Sequence, residues 1–182
     1  ENSTYVKDLS KYGNNGICAL GTTCPALNTT AGRYGNAMTF DGVNDVINIS
    51  SLFGLRNGNL TISAWVNLPS ISRGAFVKIS TTGGYGVGVG TDYFDNGYPG
   101  NDLIMLFENV RWIDTNIPIG TGWHHIVMVL NETGKPFGYI DGVLRYEDSG
   151  ANAWIPTDVP LNKTYIGGYN VPGRDFNGSI DE

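Results

Sequence analysis

Residues 60–67 read Leu-Thr-Ile-Ser-Ala-Trp-Val-Asn, an alternation of apolar and small polar side chains that only the tryptophan interrupts. Successive side chains of a β-strand point to opposite faces of its sheet, so this stretch predicts a strand that is buried on one side. The predicted core face consists of Leu60, Ile62, Ala64 and Val66, and the opposite face carries Thr61, Ser63, Trp65 and Asn67. This strand signal, the clearest in the chain, favours an all-β fold.

Similar short segments recur on both sides of it. Residues 44–50 place Ile47 and Ile49 on one face and Val46 and Asn48 on the other. Residues 123–130 form an apolar run that predicts a strand buried on both faces or nearly so. Residues 137–144 place Asp141 and Gly142 between two apolar segments, the pattern of a tight β-hairpin. Further strands are predicted at 75–79, 85–89, 103–108, 111–114, 164–167 and 176–180.

These roughly ten strands, separated by turn residues, predict an antiparallel two-sheet β-sandwich or jelly roll. The chain has 182 residues, 26 of them glycine, and no linker divides it, so we expect a single domain over residues 1–182. A net charge of −6 with only 11 Lys and Arg argues against nucleic acid or an anionic membrane surface as a partner. The longest apolar runs are strand-length, so we expect no direct membrane insertion.

Asn-x-Ser/Thr triplets are in clear excess. If the 19 Asn and the 25 Ser and Thr were placed at random along the 182 residues, about two or three such N-glycosylation acceptors would be expected, and the chain has seven. They predict N-linked glycans on a secreted protein, extracellular or at the cell surface, although an Asn- and Thr-rich β-protein also produces some triplets by chance. The acceptors are Asn2, Asn28, Asn48, Asn59, Asn131, Asn162 and Asn177. We expect Asn48 to face outward from a strand, Asn59 to begin one, and the others to lie in turns or at strand ends.

The two cysteines, Cys18 and Cys24, lie close together in the sequence. In an oxidising compartment they would close a small loop as a disulfide. A metal site would need further Cys or His nearby, and the sequence has none there. We therefore predict a disulfide.

Catalytic patterns are missing from the sequence. The five Glu residues are isolated from one another, and no closely spaced carboxylates of the kind a glycosidase uses occur on one strand face. His124 and His125 are adjacent, so on a strand they face opposite sides and cannot serve one site. Gly84, Gly86, Gly88 and Gly90 recur with a period of two, which predicts a strand face that backbone or aromatic rings approach closely. We expect no enzyme activity.

Seven local motifs, in the same order along the chain, resemble those of laminin-G-like, concanavalin A-like jelly-roll domains. They are Asp-Leu-Ser-Lys-Tyr-Gly-Asn-Asn-Gly at 8–16, Gly-Asn-Ala-Met-Thr-Phe-Asp-Gly-Val-Asn-Asp at 35–45, Leu-Thr-Ile-Ser-Ala-Trp-Val at 60–66, Gly-Trp-His-His-Ile-Val at 122–127, Tyr-Ile-Asp-Gly at 139–142, Tyr-Ile-Gly-Gly at 165–168 and Phe-Asn-Gly-Ser-Ile-Asp-Glu at 176–182. The resemblance implies a concanavalin A-like jelly roll. The fold serves binding, adhesive, structural and glycosidase roles, so the resemblance leaves function open.

The resemblance also implies a structural calcium ion. Related domains hold one with the Asp of the final strand and backbone carbonyls of earlier loops, which makes Asp181 the best candidate here, with Gly42 and Asp8 as weaker partners. The alternative, that Asp181 caps or bridges loops without a metal, stays open.

Family members also usually begin with a strand before the position of Glu1 and continue past residues 180–182 with another. Either this chain is a fragment of a longer polypeptide, which we favour, or neighbouring copies supply the strands by β-strand addition.

Aromatic side chains are candidates for sugar contacts, because a flat ring stacks on the apolar face of a pyranose. We select Trp65 on its strand, and Tyr93 and Tyr98 in the least strand-like stretch, 92–102. The leading hypothesis is a non-catalytic, N-glycosylated structural or adhesive module of an extracellular assembly or filament. Its partners would then be other copies or neighbouring domains of the same chain. The alternative is a lectin-like carbohydrate-binding module of a larger secreted protein.

Overall fold

The structure, a computed structural model, describes residues 5–18, 24–49, 59–70, 72–79, 84–90, 100–108, 111–148, 163–168 and 174–182. All regular elements in these ranges are β-strands, as the sequence predicts. They are β1 (Tyr5–Val6), β2 (Gly16–Ile17), β3 (Ala26–Gly32), β4 (Gly35–Asp41), β5 (Ile47–Ile49), β6 (Leu60–Leu68), β7 (Gly74–Ile79), β8 (Tyr85–Gly90), β9 (Asp102–Glu108), β10 (Arg111–Pro118), β11 (Gly122–Leu130), β12 (Pro136–Ile140), β13 (Val143–Glu147), β14 (Thr164–Ile166) and β15 (Asn177–Asp181).

The strands form two antiparallel sheets that pack as a sandwich. The eight-stranded sheet has the order β1-β2-β5-β14-β7-β8-β9-β10, and the seven-stranded sheet has the order β13-β12-β11-β6-β15-β4-β3. Many spatial neighbours are distant in sequence, such as β4, β15 and β6, which lie side by side. The fold is therefore the predicted jelly-roll sandwich.

The core between the sheets is built around three phenylalanines. The ring centre of Phe176 lies 5.0 Å from that of Phe76 and 6.1 Å from that of Phe40, and all three rings are fully buried. Gly167, with φ of 83°, passes so close to the Phe40 ring that an added Cβ would overlap it. From β6 the core receives Ile62, Ala64 and Val66, which confirms the core face predicted for that strand.

A second apolar cluster covers the outer face of the eight-stranded sheet. Tyr165, Lys78, Gly86, Leu106 and Trp112 are cross-strand neighbours in one row on this face. The Trp112 indole lies over Gly86, where an added Cβ would be 2.7 Å from the ring. The glycine period of two therefore provides the close aromatic approach that the sequence predicts.

Several local predictions are also confirmed. Cys18 and Cys24 form a disulfide with their Cα atoms 5.2 Å apart. Asp141 and Gly142 form the turn between β12 and β13, both with positive φ. Among the described residues no helix is long and apolar enough to cross a membrane.

Two expectations are wrong. β11 alternates between buried and half-buried residues rather than being buried on both faces, because Trp123, His125, Val127 and Val129 lie on the outer face of its sheet. Asn28 lies within β3 instead of in a turn or at a strand end, since β3 runs from Ala26 through the irregularity that follows Asn28 to Gly32.

Candidate functional site

Three neighbouring strands present a row of polar and aromatic side chains on the outer face of the seven-stranded sheet. Asp181 of β15 pairs with Trp65 of β6, and Trp65 pairs with His125 of β11. The residues that alternate with them, Val66 and Ile126, point into the core. The pleat therefore fixes the three side chains on one outer surface.

The β3–β4 turn lies against this row. Tyr34 donates its backbone N–H to Oδ2 of Asp181 at 2.8 Å, a bond between residues 147 positions apart in sequence. Asp181 itself is buried, with 7% of its surface exposed, so the acceptor is held firmly. Gly35 follows with φ of 99°, a left-handed conformation that favours glycine. The turn is thereby fixed over the sheet face.

The aromatic rings of these elements are in mutual contact. The Tyr34 and Trp65 ring centres are 5.6 Å apart at 75°, and those of Trp65 and His125 are 5.1 Å apart at 29°, a stacked arrangement. The guanidinium carbon of Arg33 lies 4.9 Å from the Trp65 ring centre and 5.6 Å from that of Tyr34. We call Arg33, Tyr34, Trp65 and His125 the aromatic platform.

Hydrogen bonds hold the histidine side of the aromatic platform. Nε2 of His125 lies 2.8 Å from Oγ of Ser63, and its backbone N–H donates to Oδ1 of Asp141 at 2.9 Å. The other oxygen of Asp141 lies 2.8 Å from Nδ1 of His124, whose side chain points to the opposite face of β11. Partial burial would raise the pKa of Asp141, but the hydrogen bonds from His124 and His125 outweigh it and lower that pKa. Asp141 therefore fixes the end of β11 as an ionised group.

The aromatic platform exposes one large ring and one cation to solvent. Tyr34 has 59% of its surface exposed, whereas Trp65 and His125 are half-buried. Arg33 is exposed and takes part in none of the ion pairs of the described residues. Such a surface can stack a sugar ring against Tyr34 and offer it hydrogen-bond donors from the phenol and the guanidinium.

Of the predicted ligand residues that the structure describes, Trp65 lies in this cluster, and it supports the exposed ring. Tyr93 and Tyr98 lie outside the described residues. Sequence reasoning missed Tyr34 and Arg33, although the pair Arg-Tyr between Gly32 and Gly35 marks a tight turn that presents an aromatic and a cation together.

Two of the predicted calcium residues, Gly42 and Asp181, lie at opposite ends of β15. Gly42 packs against Asn177 at the start of β15, and Asp181 lies four residues further along that strand, about 13 Å away. Asp8 accepts hydrogen bonds from the hydroxyl and backbone N–H of Ser10 and from the N–H of Asn14, which lower its pKa. In the described part of the chain no group of three or more His, Cys, Asp or Glu is placed to hold a metal ion.

Two buried carboxyl groups lie near Asp41 at the far end of β4. Asp45 accepts the backbone N–H of Asp41 at 2.9 Å, and its pKa is raised by burial and by the charge of Asp41. Burial is also the main cause that raises the pKa of Asp175 to about 6; the charges of Asp41 and Asp45 add to it and Arg73 opposes it. Oδ1 of Asp175 has no hydrogen-bond partner among the described residues. This cluster therefore costs stability when it is ionised.

On the outer face of the eight-stranded sheet, Asp102 and Asp114 lie on neighbouring strands. Partial burial, and then the charge of Asp114, raise the pKa of Asp102. Oδ1 of Asp114 accepts the N–H of Asn116 at 2.8 Å. Asn116 has φ of 56°, so this hydrogen bond stabilises an irregular turn in β10.

The described glycosylation acceptors lie on several elements. Asn59 and Asn177 are exposed, while Asn48 is half-buried on an outward position of β5 between Ile17 and Tyr165. The amide oxygens of Asn28 and Asn131 accept bonds from the Thr two residues on. Asn2 and Asn162 lie outside the described residues.

A model of the concanavalin A-like lectin/glucanases superfamily matches residues 41–182 of the chain. No curated protein matches the sequence. Domain 4 of AbnA, an extracellular arabinanase of Geobacillus stearothermophilus solved with arabinotriose, superposes with a TM-score of 0.63 at 20% identity, covering 100% of this chain and 91% of that one.

The binding domain of Paraclostridial Mosquitocidal Protein 1 superposes with a TM-score of 0.66 at 16% identity, over 96% of this chain and 44% of that one. The binding domain of botulinum neurotoxin serotype G gives 0.60 at 16% identity, over 96% and 42%. The chain thus spans less than half of these two toxin domains. At such identities the similarity establishes the fold alone.

Proposed function

The chain belongs to the concanavalin A-like lectin/glucanase superfamily, and on this basis we propose that it is a carbohydrate-binding module of an extracellular adhesive protein, without catalytic activity. The observation that carries the proposal is the exposed ring of Tyr34, held against Trp65 and anchored to the buried Asp181. A ring that is fixed before a sugar arrives loses little conformational entropy on binding.

Relatives of the same fold support this reading. Domain 4 of the arabinanase was solved with arabinotriose, and the toxin domains are described as binding domains. The disulfide between Cys18 and Cys24 is typical of an oxidising, extracellular setting. The N-glycosylation acceptors support the same location.

The proposed lack of catalysis rests on how the carboxylates are used. A glycosidase places one acid and one carboxylate around its substrate. Asp45 and Asp175 are buried, and Asp114 stabilises a turn through Asn116. We expect no release of reducing sugars from any glycan that binds, and release that is abolished in an Asp102→Asn variant would contradict this part of the proposal.

A glycan array followed by calorimetric titration tests the binding proposal. Tyr34→Ala should weaken sugar binding by roughly 5- to 30-fold, because a lost aromatic contact is worth about 1–2 kcal/mol. Tyr12→Ala is the matched control, since Tyr12 is an exposed tyrosine in the loop before β2, 73% exposed. Absence of binding to any glycan, or an equal loss in both variants, would refute the proposal.

Assembly through strand addition is a second candidate. Within the described residues, β15 pairs with β6 only at 65–67, whereas residues 60–64 pair with β11 alone. A strand from another copy, from a neighbouring domain or from residues that follow Glu182 would pair along this stretch of β6. Hydrogen exchange on native assemblies should show protection of those amides of residues 60–64 that point away from β11. A strictly monomeric protein in which these amides exchange freely would refute it.

Glycans and calcium remain part of the proposal as modifiers of the module. The exposed Asn59 and Asn177 would carry glycans away from the aromatic platform, leaving Tyr34 accessible. If calcium binds at Asp181, it competes with the N–H of Tyr34 for the carboxylate, so adding calcium or EDTA would change sugar affinity. An unchanged melting temperature and unchanged affinity in EDTA would argue against the ion.

A further inference from the structure

We infer that the sugar bound by the aromatic platform carries a carboxylate, as in a uronic acid, and that Arg33 binds this group. The inference rests on the proposed carbohydrate-binding function and specifies its ligand class. It comes from the position of one cation beside the exposed ring.

Arg33 is held in place without its charge being neutralised. Its guanidinium contacts the Trp65 and Tyr34 rings at 4.9 and 5.6 Å, which restricts the side chain through cation–π attraction. No ion pair of the described residues includes Arg33. A planar cation in this state keeps its N–H donors available for a ligand.

Two carboxylates of the adjoining elements are already engaged. Asp181 accepts the N–H of Tyr34 and is buried, and Asp141 is bound by His124 and by the backbone of His125. The platform therefore combines an unneutralised guanidinium with acids that are occupied elsewhere.

A uronic acid matches this arrangement in shape and charge. Its pyranose ring has an apolar face for the Tyr34 ring, and its carboxylate projects from the ring edge, where a guanidinium can form two parallel hydrogen bonds. The protein as a whole has a net charge of −6, which disfavours acidic ligands at long range. An acidic sugar that binds must therefore do so through a local cation, and Arg33 meets this need.

Titrations with an oligogalacturonate and with its methyl-esterified counterpart test the inference. The free acid should bind roughly 10- to 100-fold more tightly than the ester, the range expected for hydrogen bonds to a charged group. Arg33→Gln should remove this difference. Arg33→Lys should recover little of it, because an ammonium cannot form two parallel bonds. Arg145→Gln, which removes an exposed arginine of β13, is the matched control and should keep the preference.

The outcomes separate this inference from the proposed function. Equal binding of acid and ester that Tyr34→Ala still weakens would overturn the inference and leave the function intact. Loss of preference in Arg145→Gln would show non-specific attraction and overturn the inference. A sulfated oligosaccharide that binds as tightly as the acid, with Arg33→Lys fully active, would overturn carboxylate recognition. Absence of any glycan binding would overturn both.

Discussion

Replacing Asp175 by asparagine should stabilise the protein, and more strongly at pH 8 than at pH 5. Asp175 is 4% exposed, and its burial is the main cause that raises its pKa from 3.8 to about 6. The charges of Asp41 and Asp45 raise the pKa further, and the charge of Arg73 partly offsets them. Because the folded-state pKa lies above the unfolded one, the stability that the protonated acid contributes is fully present below pH 3.8. It is lost as the pH rises through about 6.

The magnitude follows from the size of the shift. Two pKa units correspond to about 3 kcal/mol of folding free energy lost once the group is ionised in both states. At pH 5 the folded protein still holds most of the proton, and the loss is about half as large. Asparagine is neutral and of the same shape, so Asp175→Asn should gain about 3 kcal/mol at pH 8 and about half of that at pH 5.

Urea denaturation followed by tryptophan fluorescence, at constant ionic strength, measures this. The quantity to compare is the difference between variant and wild type at each pH, because the titration of most other groups then cancels. Glu132→Gln, which neutralises an exposed carboxylate, is the control, and an equal gain in this variant would assign the effect to net charge rather than to Asp175. A variant that is less stable than wild type at pH 8 would refute the reasoning. It would mean that attraction to Arg73 exceeds the cost of burying the charge.

Three further predictions concern packing, the disulfide and glycans. Gly86→Ala should destabilise the fold by about 1–3 kcal/mol and shift Trp112 fluorescence, because the new methyl group meets the indole. Gly90→Ala is the control and should be tolerated, because the nearest neighbour of an added Cβ there is 3.5 Å away. Equal effects of the two substitutions would contradict the close approach. Removing the disulfide by Cys18→Ser with Cys24→Ser should lower the free energy of unfolding by about 2 kcal/mol, given the six-residue separation, and this is measured by thermal unfolding. A melting temperature that is unchanged in reductant would argue against a stabilising role of the disulfide. Mass spectrometry after enzymatic deglycosylation of native protein should find the exposed acceptors converted to Asp, and unmodified Asn at all of them would contradict N-glycosylation.

Alternation along single strands made the fold predictable. β6 has the predicted core face because a pleated strand with one apolar side must bury that side. The Asp141-Gly142 turn was equally local, since it depends on residues within one hairpin. The glycine period of β8 was local as well, but the ring that approaches Gly86 comes from β10. The burial of both faces of β11 was mispredicted, because the composition of a strand does not indicate that the other sheet covers one of its faces and leaves the other half-exposed.

The site was only partly predictable. Trp65 was identified from its place on the polar face of β6, but Tyr34 reaches it from a turn 31 positions earlier in the chain and is fixed by a carboxylate near the last residue. The resemblance assigns Asp181 and Gly42 to one calcium ion, yet Gly42 packs against Asn177 at the start of β15 and Asp181 lies at its other end.

By itself the sequence determined the all-β class, the core face of β6, the tight turn and the disulfide, because each depends on periodicity or on neighbours a few residues apart. Strand order decided the rest. Placing β15 between β4 and β6 brings Asp181 to the β3–β4 turn, and pairing β6 with β11 sets Trp65 beside His125. These contacts depend on which distant strands pair, and pairing is set by the burial of the whole core rather than by any local pattern.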